Sequence, residues 1–197
     1  MKLRSLLRRR AFGSISLLLF LFFCGYAVNE VSAQKGDYLT PEEIELIRFH
    51  QEIDMRMKVY AKAVDRRFLS LEGIKTLSSK DQKEIEKDVE TWGELPEGTR
   101  TKILSDIDQI IGEAIDKIDD VASRDMKSEL FASAVHILAD SAKAFIPRLN
   151  SIGEKTQDPR EIALISSAIG RCNDIIEASK KIEKPAKKSK KDKKNKI

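Results

Sequence analysis

An all-α fold, and within it an elongated antiparallel four-helix bundle, is what this sequence predicts, and three observations predict it. Apolar residues recur at steps of three and four along four long segments. Helix-start signatures stand at the head of two of those segments. No stretch alternates with period two over enough residues to make a strand.

The first helix is predicted from Thr40-Pro41-Glu42-Glu43, which supplies a capping hydroxyl, proline at the first helical position and a glutamate three residues after the cap. Leu46, Phe49, Ile53, Met57, Tyr60, Val64, Phe68 and Leu71 follow as one continuous stripe, and Gly73 closes the helix. Residues 78–94 are mostly charged, with Ile85, Val89 and Trp92 at helical spacing, and read as a short extra helix ended by Gly93, Pro96 and Gly98. The second long helix spans about 101–122 with Ile103, Ile107, Ile110, Ile111, Ala114, Ile118 and Val121 on one side. The third spans 126–146 with Leu130, Ala134, Ile137, Leu138 and Phe145, and Pro147 is expected to stop it. Asp158-Pro159-Arg160-Glu161 opens the fourth, whose stripe is Ile162, Ile165, Ile169, Cys172 and Ile176. Gly112 and Gly170 fall on polar faces in this scheme. Helices of these lengths would be roughly 30–45 Å long at 1.5 Å per residue.

Residues 1–33 do not read as part of that bundle. Lys2, Arg4, Arg8, Arg9 and Arg10 precede an apolar run from Ile15 to Val28, and Val31 and Ala33 occupy the −3 and −1 positions of a cleavage site. That order is a secretory signal, so the expected mature chain starts at Gln34 and is periplasmic or extracellular. The alternative is an uncleaved membrane anchor over Ala11–Val28. Cys24 follows Phe22-Phe23 and is a poor lipidation site, and Arg9-Arg10 matches only part of a twin-arginine signal. The expected organisation is therefore signal peptide 1–33, disordered start 34–39, bundle 40–183 and disordered tail 184–197.

Removing the five basic residues and Glu30 of the leader from 36 Lys+Arg and 32 Asp+Glu leaves 31 of each, a net charge of zero. The zero hides a division. Ten lysines stand against Glu183 and Asp192 from Lys180 onward, so +8 on the tail faces −8 on residues 34–179. Lys184, Lys187, Lys188, Lys190, Lys191, Lys193, Lys194 and Lys196 are the candidate binding residues for an anionic partner. Without arginine or aromatic neighbours they offer point charge and no stacking, so they suit an anionic membrane surface, a cell-surface polymer or an acidic protein. Export argues against nucleic acid.

Catalytic and metal signatures fail on residue type and spacing. The di-metal pattern needs Glu three residues before His, but Ile47 precedes His50 and Ser133 precedes His136. His50, inside the first stripe with Asp54 one turn on, is the alternative centre for a small-ligand or metal site in the bundle interior; His136 is expected to be solvated. Asp106, Glu113, Asp116 and Asp120 share one flank that should face water, where they could serve as a berth for the tail. Cys172, the one cysteine outside the leader, should be a buried inert thiol. Neither a phosphate-binding glycine loop nor a nucleophile elbow occurs, and no cofactor is expected. The sequence reading is thus a non-enzymatic exported bundle that acts through its surface.

Overall fold

The computed structural model describes residues 38–73 and 79–185. Residues 1–37, 74–78 and 186–197 lie outside the described residues, and with them the expected signal peptide, most of the expected disordered start and most of the lysine-rich tail. Among the described residues the fold is all-helical: α1 (Pro41–Phe49), α2 (Ile53–Glu72), α3 (Ser79–Trp92), α4 (Arg100–Asp125), α5 (Glu129–Gly153) and α6 (Pro159–Lys180), with no strand.

The first predicted helix is in fact two. His50 and Glu52 are extended, at φ −82°, ψ 113° and φ −76°, ψ 132°, and the chain turns back between α1 and α2. Arg56 Nε donates to the His50 carbonyl oxygen at 2.7 Å, so the acceptor freed by the break is satisfied. The cause of the break is tertiary. In a continuous helix Glu43 and Arg67 would lie about 36 Å apart, whereas here they form a buried ion pair. Phe49, placed in the stripe by its spacing, is consequently 79% exposed.

The third helix also departs from expectation, because α5 passes through Pro147 and ends at Gly153. An interior proline costs about 3 kcal/mol. Beyond it Leu149 is fully buried, Ile152 packs on the core and Arg148 pairs with Asp65 and Glu72. Burying one such Leu contributes about 1.5–3 kcal/mol, so the packing after the proline outweighs its penalty.

α2 packs against α4 and α5, α6 packs against the same two, and α4 and α5 touch more sparsely. Side-chain pairs fix the directions. Ser133 and Arg148 of α5 meet Asp54 and Asp65 of α2, early with early and late with late, so these neighbours run parallel. Arg100 with Glu161 and Asp108 with Arg171 make α4 and α6 parallel too. The expectation that helices lie antiparallel is therefore corrected for two neighbouring pairs. The consecutive helices α4 and α5 sit across from each other and not side by side.

The core is aliphatic as composition required: Met57, Val64 and Phe68 of α2, Ile107, Ile110 and Ile111 of α4, Leu138 and Phe145 of α5, and Ile165, Cys172 and Ile175 of α6. Leu130 and Ile162, assigned to stripes, are instead 39% and 45% exposed, at the first turns of α5 and α6. Tyr38 and Leu39, expected to be disordered, pack on the core. Gly112 is buried and not on a polar face: an added Cβ would sit 2.9 Å from the Arg171 guanidinium, which crosses it to reach Asp108 at 2.9 Å.

Candidate functional site

The densest polar constellation in the described chain is a buried charge cluster where α1, α2 and the end of α3 meet. Thr40 caps α1 by accepting from the Glu43 backbone N–H at 3.3 Å, and Glu43 Oε2 accepts from the Thr40 N–H at 3.0 Å. The other oxygen of Glu43 faces α2. It accepts from Arg67 and lies 3.3 Å from Arg66 Nε, with all three side chains at most 2% exposed.

One carboxylate cannot balance two guanidinium groups, so backbone carbonyls complete the cluster. Arg66 donates to Trp92, Gly93 and Glu94 carbonyl oxygens at 3.0, 3.0 and 2.6 Å. Arg67 donates to the carbonyls of Ala63 and Tyr38. Those carbonyls are available to Arg66 because α3 ends there, with Gly93 in the left-handed region at φ 68°. Burial lowers the Arg66 pKa, and the Glu43 carboxylate opposes that shift.

A second cluster lies one layer along. The Tyr38 hydroxyl donates to Glu113 Oε2 at 2.6 Å. Tyr60, 1% exposed, faces the same carboxylate without meeting hydrogen-bond geometry. Desolvation first, followed for Tyr38 by its hydrogen bond to Glu113 and for Tyr60 by the Glu113 charge, raises both phenols well above the ordinary tyrosine range.

Between α2, α3 and α5 there is a cavity of about 190 Å³ bordered by Lys62, Asp65, Arg66, Asp88 and Arg148. Its charges are paired across helices, Lys62 with Asp88 at 2.7 Å and Arg148 with Asp65 at 3.0 Å. The Arg148 guanidinium also stacks 4.2 Å from the Phe68 ring centre. Burial raises the Asp65 pKa, with Arg148 and Lys62 pulling the other way. These arrangements neutralise charge and tie four helices together.

Of the eight candidate binding lysines, Lys184 alone lies in the described chain. It is exposed and stands 4.0 Å from Asp140 of α5; Lys187, Lys188, Lys190, Lys191, Lys193, Lys194 and Lys196 lie outside the described residues. His136 is not simply solvated, because its Nε2 is 2.9 Å from the Ile182 carbonyl oxygen just past α6. His50 leaves the stripe altogether: it occupies the α1–α2 break, half-buried, edge-on to Phe49. Its expected neighbour Asp54 turns to Ser133 at 3.5 Å, and no group of three or more His, Cys, Asp or Glu side chains suited to a metal occurs among the described residues.

The acidic flank of α4 divides. Asp106 is 3% exposed and pairs with Lys102 at 2.7 Å, against the expectation that it faces water. Glu113 serves Tyr38, while Asp116 and Asp120 are exposed as expected. Cys172 is fully buried, and burial pushes its thiol up to about 12.

Sequence reasoning missed Arg66 and Arg67, because charged residues in a helix ordinarily read as solvated. One signal was present for Arg67, which falls between Ala63 and Val64 around the helix, inside the apolar arc that Phe68 extends. Comparison with known proteins adds no identity: no protein family, no curated protein and no solved structure matches this chain. What the fold defines is the class, an all-helical protein. By length and composition α5 could cross a membrane, but in this structure it packs between α2 and α6.

Proposed function

We propose that this chain is an exported four-helix bundle without catalytic activity, whose lysine-rich tail attaches it to a densely anionic surface. The observation that carries the reading is the charge division, with ten lysines against two acids from Lys180 onward and an acidic body before them. Lysines at this density bind polyanions by releasing counterions, with strong salt dependence and little selectivity. At about 1 kcal/mol per lysine near an anionic membrane, a few engaged residues suffice for attachment. Two contacts support this division of labour. Ile182 packs on the core with its carbonyl oxygen 2.9 Å from His136 Nε2, and two residues on the Lys184 side chain is already 68% exposed.

Flotation with vesicles containing anionic lipid, compared with purely zwitterionic vesicles, tests the proposal on the mature chain and on a variant lacking residues 184–197. The expected result is binding to anionic vesicles alone, weakening steeply with salt and lost on truncation. Equal binding by the truncated chain, with an unchanged salt slope, would sink the idea.

A further inference from the structure

α1 covers the core through Ile47 but leaves its outward side bare. Its one buried residue is Glu43, while Phe49, at 79%, is the most exposed large apolar residue of the described chain. The buried cluster is what holds it so. Glu43 is clamped by Arg66 and Arg67, and the Tyr38 carbonyl by Arg67, so α1 cannot roll to bury Phe49 without separating these charges. The outward side of α1 borders a groove of about 460 Å³, formed by Pro41, Glu42, Glu45, Leu46 and Phe49 together with Thr91 of α3. Positions 42, 45, 46 and 49 form one stripe at helical spacing. A helix laid along that stripe would meet apolar surface with acids at its edge.

We propose that the occupant of this groove is α1 of a second copy, the two helices crossing antiparallel about a twofold axis. The charges along α1 are self-complementary. An axis near the level of Leu46 and Ile47 sets Arg48 of one copy opposite Glu45 of the other, twice over by symmetry. It also carries each Phe49 toward the Pro41–Glu42 end of the facing groove. Arg48 and Glu45 are each 71% exposed and now pair within their own helix at 2.7 Å. Such an exposed i,i+3 pair contributes little, so exchanging it for an intermolecular one costs little. The aromatic supplies the anchor and the charges supply direction. The proposal does not depend on the tail, whose attachment to an anionic surface is a separate property.

Sedimentation velocity on the mature chain, tail included, tests it from micromolar to near-millimolar concentration. The expected result is a reversible monomer–dimer equilibrium. Phe49→Asp should weaken the dimer at least about tenfold, as loss of an aromatic anchor does, with helical circular dichroism unchanged because the side chain is exposed. Arg48→Glu and Glu45→Lys should each weaken it, and an equal mixture of those two variants should restore it, since the heterodimer re-pairs both charges. Sedimentation independent of concentration would overturn the proposal. So would a Phe49→Asp chain that dimerises normally, a mixture no tighter than its separate components, or a dimer that disappears only when residues 184–197 are removed.

Discussion

At the scale of single residues, the structure rests on charges held where water is absent. Arg66, Arg67 and Glu43 are desolvated together, and such a cluster is tolerable only while every member keeps its partners. Removing one partner from a buried pair costs about 3–5 kcal/mol, so Glu43→Ala should destabilise the protein by that amount. A lowered urea midpoint with unchanged slope is the measurement. Replacing Glu43, Arg66 and Arg67 together by Leu and Met should cost less than this single change, because no charge is left stranded. Cys172 makes a second residue-level prediction. Its folded pKa, about 12, lies above the ordinary value of 9.0. The unfolded chain therefore loses this proton first as pH rises, and stability contributed by the thiol is intact below pH 9.0 and declines toward about 12. Tyr38 and Tyr60 act with the same sign from pH 10.0 upward. Urea melts across this range should show the fall, and Cys172→Ala should flatten its lower part. At neutral pH the native thiol should resist a soluble disulfide reagent and react once urea unfolds the chain; prompt reaction in the native state would contradict its burial.

At the scale of elements, two irregularities show packing overriding local preference. α5 keeps Pro147 in its interior, where about 3 kcal/mol of helix propensity is lost. Restoring the N–H should recover most of that, less the entropy that proline removes from the unfolded chain, so Pro147→Ala should stabilise by about 2 kcal/mol. A thermal melt no higher than wild type would mean that the proline relieves strain elsewhere in α5. The end of α3 is the opposite case. Gly93 has φ 68°, and a Cβ there would lie 2.8 Å from the Glu42 carboxylate. Gly93→Ala should therefore cost about 1–2 kcal/mol in backbone strain, and should also disturb the carbonyls that Arg66 holds. Both elements were half visible in sequence. Proline and glycine mark where something must happen, but whether a helix stops or continues depends on what lies beyond. Arg148 is paired because α2 is there to receive it, and Leu149 is buried in the common core.

At the scale of the whole molecule, the sequence separates its charges along the chain. Residues 34–179 and 180–197 carry −8 and +8, and Lys184 stands near Asp140. If the remaining lysines follow it onto acidic residues of the same chain, raising salt should speed tryptic cutting in the tail by screening those contacts. A cutting rate independent of salt would refute such intramolecular docking. The acidic flank proposed as a berth is only partly free for it, since Asp106 is buried and Glu113 holds Tyr38. The stripes of α2, α4 and α6 were legible because a 3.6-residue period reports which side meets the core. The α1–α2 break was not, because Leu46, Phe49 and Ile53 keep that period straight across it. Nor were the Glu43–Arg66–Arg67 cluster and the His136–Ile182 contact, which join residues far apart in the chain.

The sequence alone settled the helical class, the aliphatic composition of the core, the caps at Thr40 and Asp158 and the burial of Cys172, because each follows from local spacing or from composition. Only the tertiary structure decided that α1 folds back, that α2 runs parallel to α5 and α4 to α6, and that a glutamate goes in while Phe49 stays out. The physical reason is range. Periodicity reports a residue's neighbours within a few turns, whereas burial of Glu43 depends on Arg66 and Arg67, more than twenty residues away, whose position no local pattern encodes.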